Sequence, residues 1–317
     1  MKQNPSYSVV IPVYNEEGNV LGLFEEVQKV MSPLGPTEII FINDGSRDKT
    51  LDVLKSIKGI TILNLNRNYG QSVALDAGFK VAEGDFIISM DGDRQNDPSD
   101  IPKLLEKLEK ENLDVVAGWR KYRQDKNGIK LISRTGHLLR KMLIGDVVHD
   151  SGCMLRVYRK GAIKTLDICG EMHRYILILL RWKGFRIGEM IVNHRARVNG
   201  VSKYNGAKAI RGFVDLVYVW FIYKYSQRPI HLFGYLSLLA FLLSFIFGVQ
   251  AVLEKIFWAV SLNRNGWFFI SMFLFVIGIM FFSFGIVIDL LLKIQLTNSP
   301  FEKRYYIREI IKTGNLI

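Results

Sequence analysis

The chain has 317 residues, with 42 Lys or Arg against 30 Asp or Glu and a formal net charge of +12. That length exceeds the about 100 to 200 residues of one compact domain, which predicts one compact domain with an appendage. Two cysteines, Cys153 and Cys169, have no CxxC or metal-site neighbours, which excludes a disulfide framework and makes them packing residues in a reducing compartment.

The first apolar run, SVVIPVYNE at residues 8–16, is closed by Pro12, Tyr14 and Glu16. It follows MKQNPSY, which has no apolar h-region, so no export of this unit is expected. EIIFINDGS, residues 38–46, ends in Asp44, Gly45 and Ser46, and ITILNLNRNYGQ, residues 60–71, ends near Gly70 and Gln71. FIISMDGDRQNDP, residues 86–98, runs straight into Asp91 and Asp93. Four short apolar runs with polar ends and helix-like segments between them read as βα units of a mainly parallel sheet, an α/β fold. In such sheets ligands bind beyond the carboxyl ends of the strands, so these clusters are expected to converge on one crevice. Two carboxylates one residue apart suit Mg²⁺ or Mn²⁺, hard cations that take oxygen ligands and usually keep a phosphate.

The net charge is concentrated further on. Between Ala117 and Gly212, 21 Lys or Arg stand against 6 Asp or Glu, an excess of 15. A patch of this kind favours an anionic leaflet and anionic substrates. No nucleic-acid motif accompanies it, so nucleic acid is not an expected partner. Arg120 follows a fifth apolar strand in VVAGWRKYR, and Arg134 lies in KLISRTGHLLRKML, whose helical period suits the membrane surface. In VVHDSGCMLRVYRK, Asp150 closes a short apolar run, where a base, a sugar-orienting group and a plain turn are all open readings. HRARVNGVSKYNG, residues 194–206, brings Arg197, Ser202 and Lys203 into one short stretch.

From Ala207 to Tyr225 the apolar residues Ile210, Phe213, Val214, Val217, Trp220 and Phe221 recur near helical spacing, which predicts an amphipathic interfacial helix. Leu232 to Leu253 and Trp267 to Ile288 are each 22 residues without a charge. Each is long enough, at about 1.5 Å per residue, to cross a hydrocarbon core of about 30 Å. Lys224 and Arg228 precede this hairpin and Lys293, Lys303, Arg304 and Arg308 follow it, whereas its loop holds only Lys255 and Arg264. The positive-inside rule therefore places the catalytic unit and both termini on the cytoplasmic face of an inner membrane. The expected organisation is a catalytic domain at 1–206, an interfacial helix at 207–228, a two-span hairpin at 229–296 and a C-terminal tail at 297–317.

VVIPVYNEEGNV, NDGSRDKT and SMDGDRQNDP together resemble the family 2 glycosyltransferases, whose nucleotide-sugar domain has the GT-A fold. The resemblance implies that Pro12, Tyr14, Glu16 and Asp44 surround the nucleoside, with Ser46, Gly70 and Gln71 in the same nucleotide site. It also implies that Asp91 and Asp93 hold the diphosphate through a metal. MDGDRQ is similar to the subset that hands its sugar to a lipid phosphate, in which Gln95 completes the metal site. The order of Arg120, Arg134, Arg197, Ser202 and Lys203, with GEMHRYI at 170–176, resembles the polyprenyl-phosphate branch, similar to dolichol-phosphate mannosyltransferase. There such residues bind donor or acceptor phosphates. One departure is at His137 and Leu138, where some relatives carry a serine for the acceptor phosphate.

The resemblance implies an inverting transfer of a hexose from a nucleoside-diphosphate sugar, a UDP-sugar, to a polyprenyl phosphate. Mg²⁺ or Mn²⁺ is then the cofactor, and the nucleotide sugar, the lipid phosphate and the membrane are the partners; a homo-oligomer is left open. Two alternatives compete. A processive polysaccharide synthase would explain Arg181-Trp182, half of a Gln-x-x-Arg-Trp motif, but Ile178 occupies the Gln position and two spans offer no pore. A non-catalytic lipid-binding scaffold would tolerate loss of the acidic pair, yet Asp44, Asp91, Asp93 and Lys203 are all present.

Overall fold

The computed structural model describes residues 6–121, 145, 148–195, 216–221, 224–225, 229–298 and 307–312. The chain divides into two compact units, Met1–Val219 with Lys303–Ile317, and Trp220–Glu302.

The first unit is built on eight strands: β1 (Tyr7–Val13), β2 (Thr37–Asn43), β3 (Ile60–Leu65), β4 (Phe86–Ser89), β5 (Val115–Trp119), β6 (Arg156–Arg159), β7 (Ile187–Ile191) and β8 (Ile307–Lys312). Their spatial order is β7-β5-β6-β4-β1-β2-β3-β8. The pairs β4-β1, β1-β2 and β2-β3 are parallel, as the βα reading predicts, while β6 runs antiparallel to both of its neighbours. The helices are α1 (Val20–Met31), α2 (Thr50–Ser56), α3 (Gln71–Val81), α4 (Ile101–Lys110), α5 (Lys160–Ile163) and α6 (Ile176–Trp182).

Helices on both faces explain why the central strands are apolar throughout rather than alternating. Val9, Ile11 and Val13 of β1 join a core with Leu23 and Val27 of α1 and Leu104 and Leu108 of α4. Val10, pointing the other way, joins Ile40, Ile42, Leu63 and the Ala74, Leu75 and Ala77 side of α3. In α4 the buried residues Ile101, Leu104, Leu105 and Leu108 recur at helical spacing, with Lys and Glu at most of the remaining positions.

The C-terminal segment differs from a tail. Residues 307–312 pair antiparallel with β3, from Thr61 opposite Lys312 to Leu65 opposite Ile307. This covers an edge that β3 would otherwise present unpaired.

The second unit is a hairpin of α7 (Pro229–Trp258) and α8 (Gly266–Asn298), which contain the two expected spans. Small side chains let the helices approach and bond across their contact. Ser244 and Ser271 each donate a hydroxyl to the other's carbonyl at 2.8 Å, and Ser237 donates to the Gly278 carbonyl at 2.9 Å. The large apolar side chains point outward: only 22% and 11% of the most apolar stretches are buried, the reverse of core helices in a soluble protein. Both helices are long and apolar enough to cross a membrane. Of the expected interfacial helix, residues 216–221 and 224–225 are helical, with Leu216 and Val219 buried. Ile210, Phe213 and Val214 lie outside the described residues.

Replacing both Glu309 and Ile310 with proline removes at least one ladder donor from β8, because alternate N–H groups of an antiparallel strand face the partner, and leaves the hairpin untouched, at a cost of about 1 to 3 kcal/mol. Amide exchange at Thr61–Leu65 should accelerate and the unfolding midpoint should fall; unchanged protection there would refute the β3–β8 pairing.

Candidate active site

Because β4, β1, β2 and β3 are adjacent and parallel, their carboxyl ends open onto one crevice. Asp44, directly after β2, donates its N–H to the Val13 carbonyl at 2.9 Å and accepts the N–H groups of Tyr69 and Gly70 at 2.7 and 2.9 Å. Its carboxylate thereby fixes the loop that leads into α3. Burial pushes the Asp44 carboxyl up, against the pull of those two N–H groups. Gly45 has a φ of +65°, and a Cβ there would lie 2.3 Å from the Arg67 carbonyl carbon, so the Asn-Asp-Gly turn admits only glycine.

The loops after β1 and β2 are laced together. Asn15 donates its N–H to Ser46 Oγ at 3.0 Å, Arg47 donates to Asn15 Oδ1 at 2.8 Å, and Glu16 donates its N–H to Thr50 Oγ1 at 2.8 Å. The Glu16 carboxylate accepts Asn19 Nδ2 at 2.6 Å. Pro12 lies within β1 and Tyr14 follows it directly, on the strand between the acidic loop and Asp44.

Gln71, the first residue of α3, donates Nε2 to Asp91 Oδ1 at 2.7 Å. The acidic loop is shaped by its own side chains: Asp91 donates its N–H to Asn96 Oδ1 at 3.0 Å, and Gln95 donates its N–H to Asp93 Oδ1 at 3.1 Å. Asp93 is buried and Asp91 only partly exposed. Burial and the neighbouring Asp93 charge push the Asp91 carboxyl up to about 6, opposed by Arg120, the Gln71 bond and Arg156.

Arg120 and Asp150 form a bidentate pair, Nε to Oδ2 at 2.7 Å and Nη2 to Oδ1 at 2.9 Å, and Asp150 also accepts the Arg120 N–H at 3.2 Å. Both oxygens of Asp150 are thus engaged by Arg120. Burial disfavours the guanidinium charge, but Asp150 more than restores it. Glu189 on β7 holds this corner by accepting the His149 N–H at 2.9 Å, with His149 Nδ1 at 2.8 Å, while the His149 ring stacks on Trp119 at 4.3 Å.

Two features of the site were not foreseen in the sequence. Arg156 is fully buried and donates to the carbonyls of Cys153 and Ser151 at 2.7 Å and of His173 at 3.2 Å. Its charge favours ionised Asp91. His173, within GEMHRYI, donates its N–H to Ser72 Oγ at 3.0 Å and lies with Nδ1 at 2.8 Å from the same hydroxyl. Burial, with Arg174 and Arg156, depresses its imidazole to about 3, so it is neutral at physiological pH. The only signal was an arginine inside the apolar run MLRVY and a histidine in a stretch noted for its resemblance.

Arg134, Arg197, Ser202 and Lys203 lie outside the described residues. Among the described residues no three His, Cys, Asp or Glu groups converge as a closed metal cage. Asp91 and Asp93 still offer two hard carboxylates in a place short of positive charge, and Gln95 lies in the same loop. Its Nε2 contacts the Arg195 carbonyl at 3.5 Å. This donor set fits a cation such as Mg²⁺ or Mn²⁺, whose remaining positions go to phosphate and water.

Residues 8–167 match the family described as glycosyl transferase family 2. The chain is 41% identical over 245 residues to dodecaprenyl-phosphate galacturonate synthase of Rhizobium johnstonii, covering 74% of this chain and 72% of the relative. It is 30% identical over 312 residues to undecaprenyl-phosphate 4-deoxy-4-formamido-L-arabinose transferase of Pseudomonas aeruginosa, covering 96% and 90%. Among solved structures, mannosyl-3-phosphoglycerate synthase from Rubrobacter xylanophilus superposes with a TM-score of 0.57 at 16% identity, over 68% of this chain and 74% of that one. Glucosyl-3-phosphoglycerate synthase from Mycobacterium tuberculosis, in complex with Mn²⁺, UDP and phosphoglyceric acid, gives 0.56 at 20% identity, over 68% and 78%. The chain therefore belongs to glycosyl transferase family 2, in its polyprenyl-phosphate branch, and its first unit has the GT-A fold.

Proposed function

We propose that this protein is a membrane-anchored, metal-dependent inverting glycosyltransferase that moves a hexose from a UDP-sugar to a polyprenyl phosphate. The observation that carries the reading is the juxtaposition of a cation-demanding pair, Asp91 and Asp93, with a guanidinium, Arg120, held in place by Asp150. The names of the two relatives share a polyprenyl phosphate and differ in the sugar, which supports the acceptor class and leaves the sugar to experiment.

In this reading Pro12, Tyr14, Glu16 and Asp44 flank the nucleoside, with Ser46, Gly70 and Gln71 beside them. Asp91 and Asp93, with Gln95, hold the cation, which when bound neutralises charge on the departing diphosphate. Arg120, Arg134, Arg197, Ser202 and Lys203 orient the acceptor phosphate and offset its repulsion from the donor. A phosphate oxygen attacks the anomeric carbon as the bond to the nucleoside diphosphate breaks. The electron pair leaves with the diphosphate, and configuration inverts. The attacking group is already an anion, so no general base is required, and Asp150 serves as the anchor of Arg120. The two apolar helices span the membrane, and β8 supports the orientation: two spans return the chain to the side on which β3 waits for its partner strand. The basic flanks make that side cytoplasmic.

The reading is tested by offering the full chain a panel of radiolabelled UDP- and GDP-sugars with short-chain polyprenyl phosphate, with and without EDTA. One UDP-sugar should label the lipid only when a divalent cation is present; no labelled lipid with any donor would refute it.

Two substitutions separate its parts. Asp93→Ala and Asp91→Asn should each abolish transfer without unfolding the chain. Asp91 holds its proton more tightly folded than unfolded, so metal-free stability falls as pH rises from about 4 through about 6. Asp91→Asn removes that cost, and its metal-free melting midpoint at pH 7.5 should exceed that of the wild type; a lower midpoint would contradict the charge assignment. Arg134→Ala should weaken use of the lipid phosphate by about tenfold to hundredfold, the loss of one charge-assisted contact. UDP affinity should change by less than about threefold, and equal losses on both sides would move Arg134 to the donor.

A further inference from the structure

The acidic loop is clamped from outside the crevice. Arg94, between Asp93 and Gln95, adopts a left-handed backbone with φ +60°, uncommon for a residue with a side chain. Its guanidinium turns away from the crevice and pairs with Glu26 on α1. The other oxygen of Glu26 accepts Arg195 Nη1 at 2.6 Å, and Arg195 Nη2 reaches Asp97 Oδ1 at 2.7 Å. One carboxylate on a helix thus joins the acidic loop to the strip after β7. The same two segments are stitched by backbone: Arg195 donates its N–H to the Gln95 carbonyl at 2.9 Å, and Asn96 forms an antiparallel bridge with His194. Asn193 donates its N–H to Asp100 Oδ2 at 2.7 Å.

We propose that Glu26 is a positioning residue that, through Arg94 and Arg195, holds the acidic loop at 91–97 in register with the strip at 192–195 that follows β7. Arg195 stands two residues before Arg197 and seven before Ser202, so the strip it anchors is the root of the segment assigned to the acceptor phosphate. Isolated surface ion pairs contribute little. This network differs because Glu26 and Arg94 are each about three-quarters buried, and one carboxylate holds two guanidiniums that belong to opposite sides of the reaction. Gly22, one turn ahead of Glu26 on the same helix, provides the space: a Cβ there would lie 2.6 Å from Arg94 Nη1. The inference rests on the donor and acceptor assignments above.

The test uses the full chain in nanodiscs. Mn²⁺ binding in the presence of UDP is read by the spectroscopic signal of free Mn²⁺, and the acceptor KM is measured with short-chain polyprenyl phosphate. Glu26→Gln removes the shared charge, whereas Gly22→Ala displaces Arg94 without changing any charge. Each should weaken Mn²⁺ binding and raise the acceptor KM, both by about tenfold, the lower end of what losing a partner that orients metal ligands costs. The unfolding midpoint should change little, and Glu26→Asp should recover part of both losses. Combining Glu26→Gln with Arg94→Ala should be no worse than Glu26→Gln alone, since that single variant already breaks the Glu26–Arg94 contact. Wild-type binding with both single variants within twofold of it overturns the clamp, as do additive losses in the double variant. A wild-type chain that binds no Mn²⁺ with UDP overturns the donor assignment, and this inference with it.

Discussion

The first unit is organised around an excess of negative charge at the end of β4. Asp91 and Asp93 lie one residue apart where the sheet, α3 and the β6 region exclude most of the water, and an ionised pair there costs free energy unless cations stand near. The protein supplies two from its own side chains. Arg156 is buried among three carbonyls, and Arg120 is held by Asp150 at the crevice. Asp91 nevertheless retains a raised affinity for its proton, so the compensation is incomplete. That residual demand for positive charge is what the proposed function assigns to a divalent cation.

The surrounding order follows from keeping that pair in place. Gln71 bonds Asp91 from the start of α3, and the start of α3 is itself fixed by Asp44 through Tyr69 and Gly70. Asn43 and Asn64 bond across β2 and β3 beneath this loop at 2.8 Å. The strand ends therefore behave as one connected polar layer above an apolar core, and displacing one member would move the next. Arg120 belongs to a second cluster with Asp150, His149, Trp119 and Glu189, on the β5–β7 side of the sheet.

Much of this was legible in the sequence, for physical reasons. Strands covered on both faces are continuous apolar runs, so β1 to β5 stood out, and among the polar residues that end them Asp44 bonds Gly70 and Gln71 bonds Asp91. The two apolar helices were legible because few soluble segments run 22 residues without a charge. What was hidden depends on long-range pairing. β8 is six residues long and meets β3 across more than 240 residues of chain, so nothing local distinguishes it from a tail. Arg156 reads as an exposed strand residue until the carbonyls that receive it are known. The link from Glu26 to Arg195 spans 169 positions and has no local signature. Asp150 could be read as base or turn, and only its two short contacts with Arg120 show how fully its oxygens are used.

The central claim, direct displacement at the anomeric carbon by a lipid phosphate, is tested most directly by the stereochemistry of the product. Full-length protein would be supplied with an α-configured UDP-sugar that labels the lipid, short-chain polyprenyl phosphate and Mn²⁺, and the anomeric coupling and phosphorus resonance of the lipid product read by NMR. The account predicts a single β-linked phosphodiester, with one UDP released per lipid modified. An α-linked product, or a sugar polymer without a lipid phosphodiester, would contradict it.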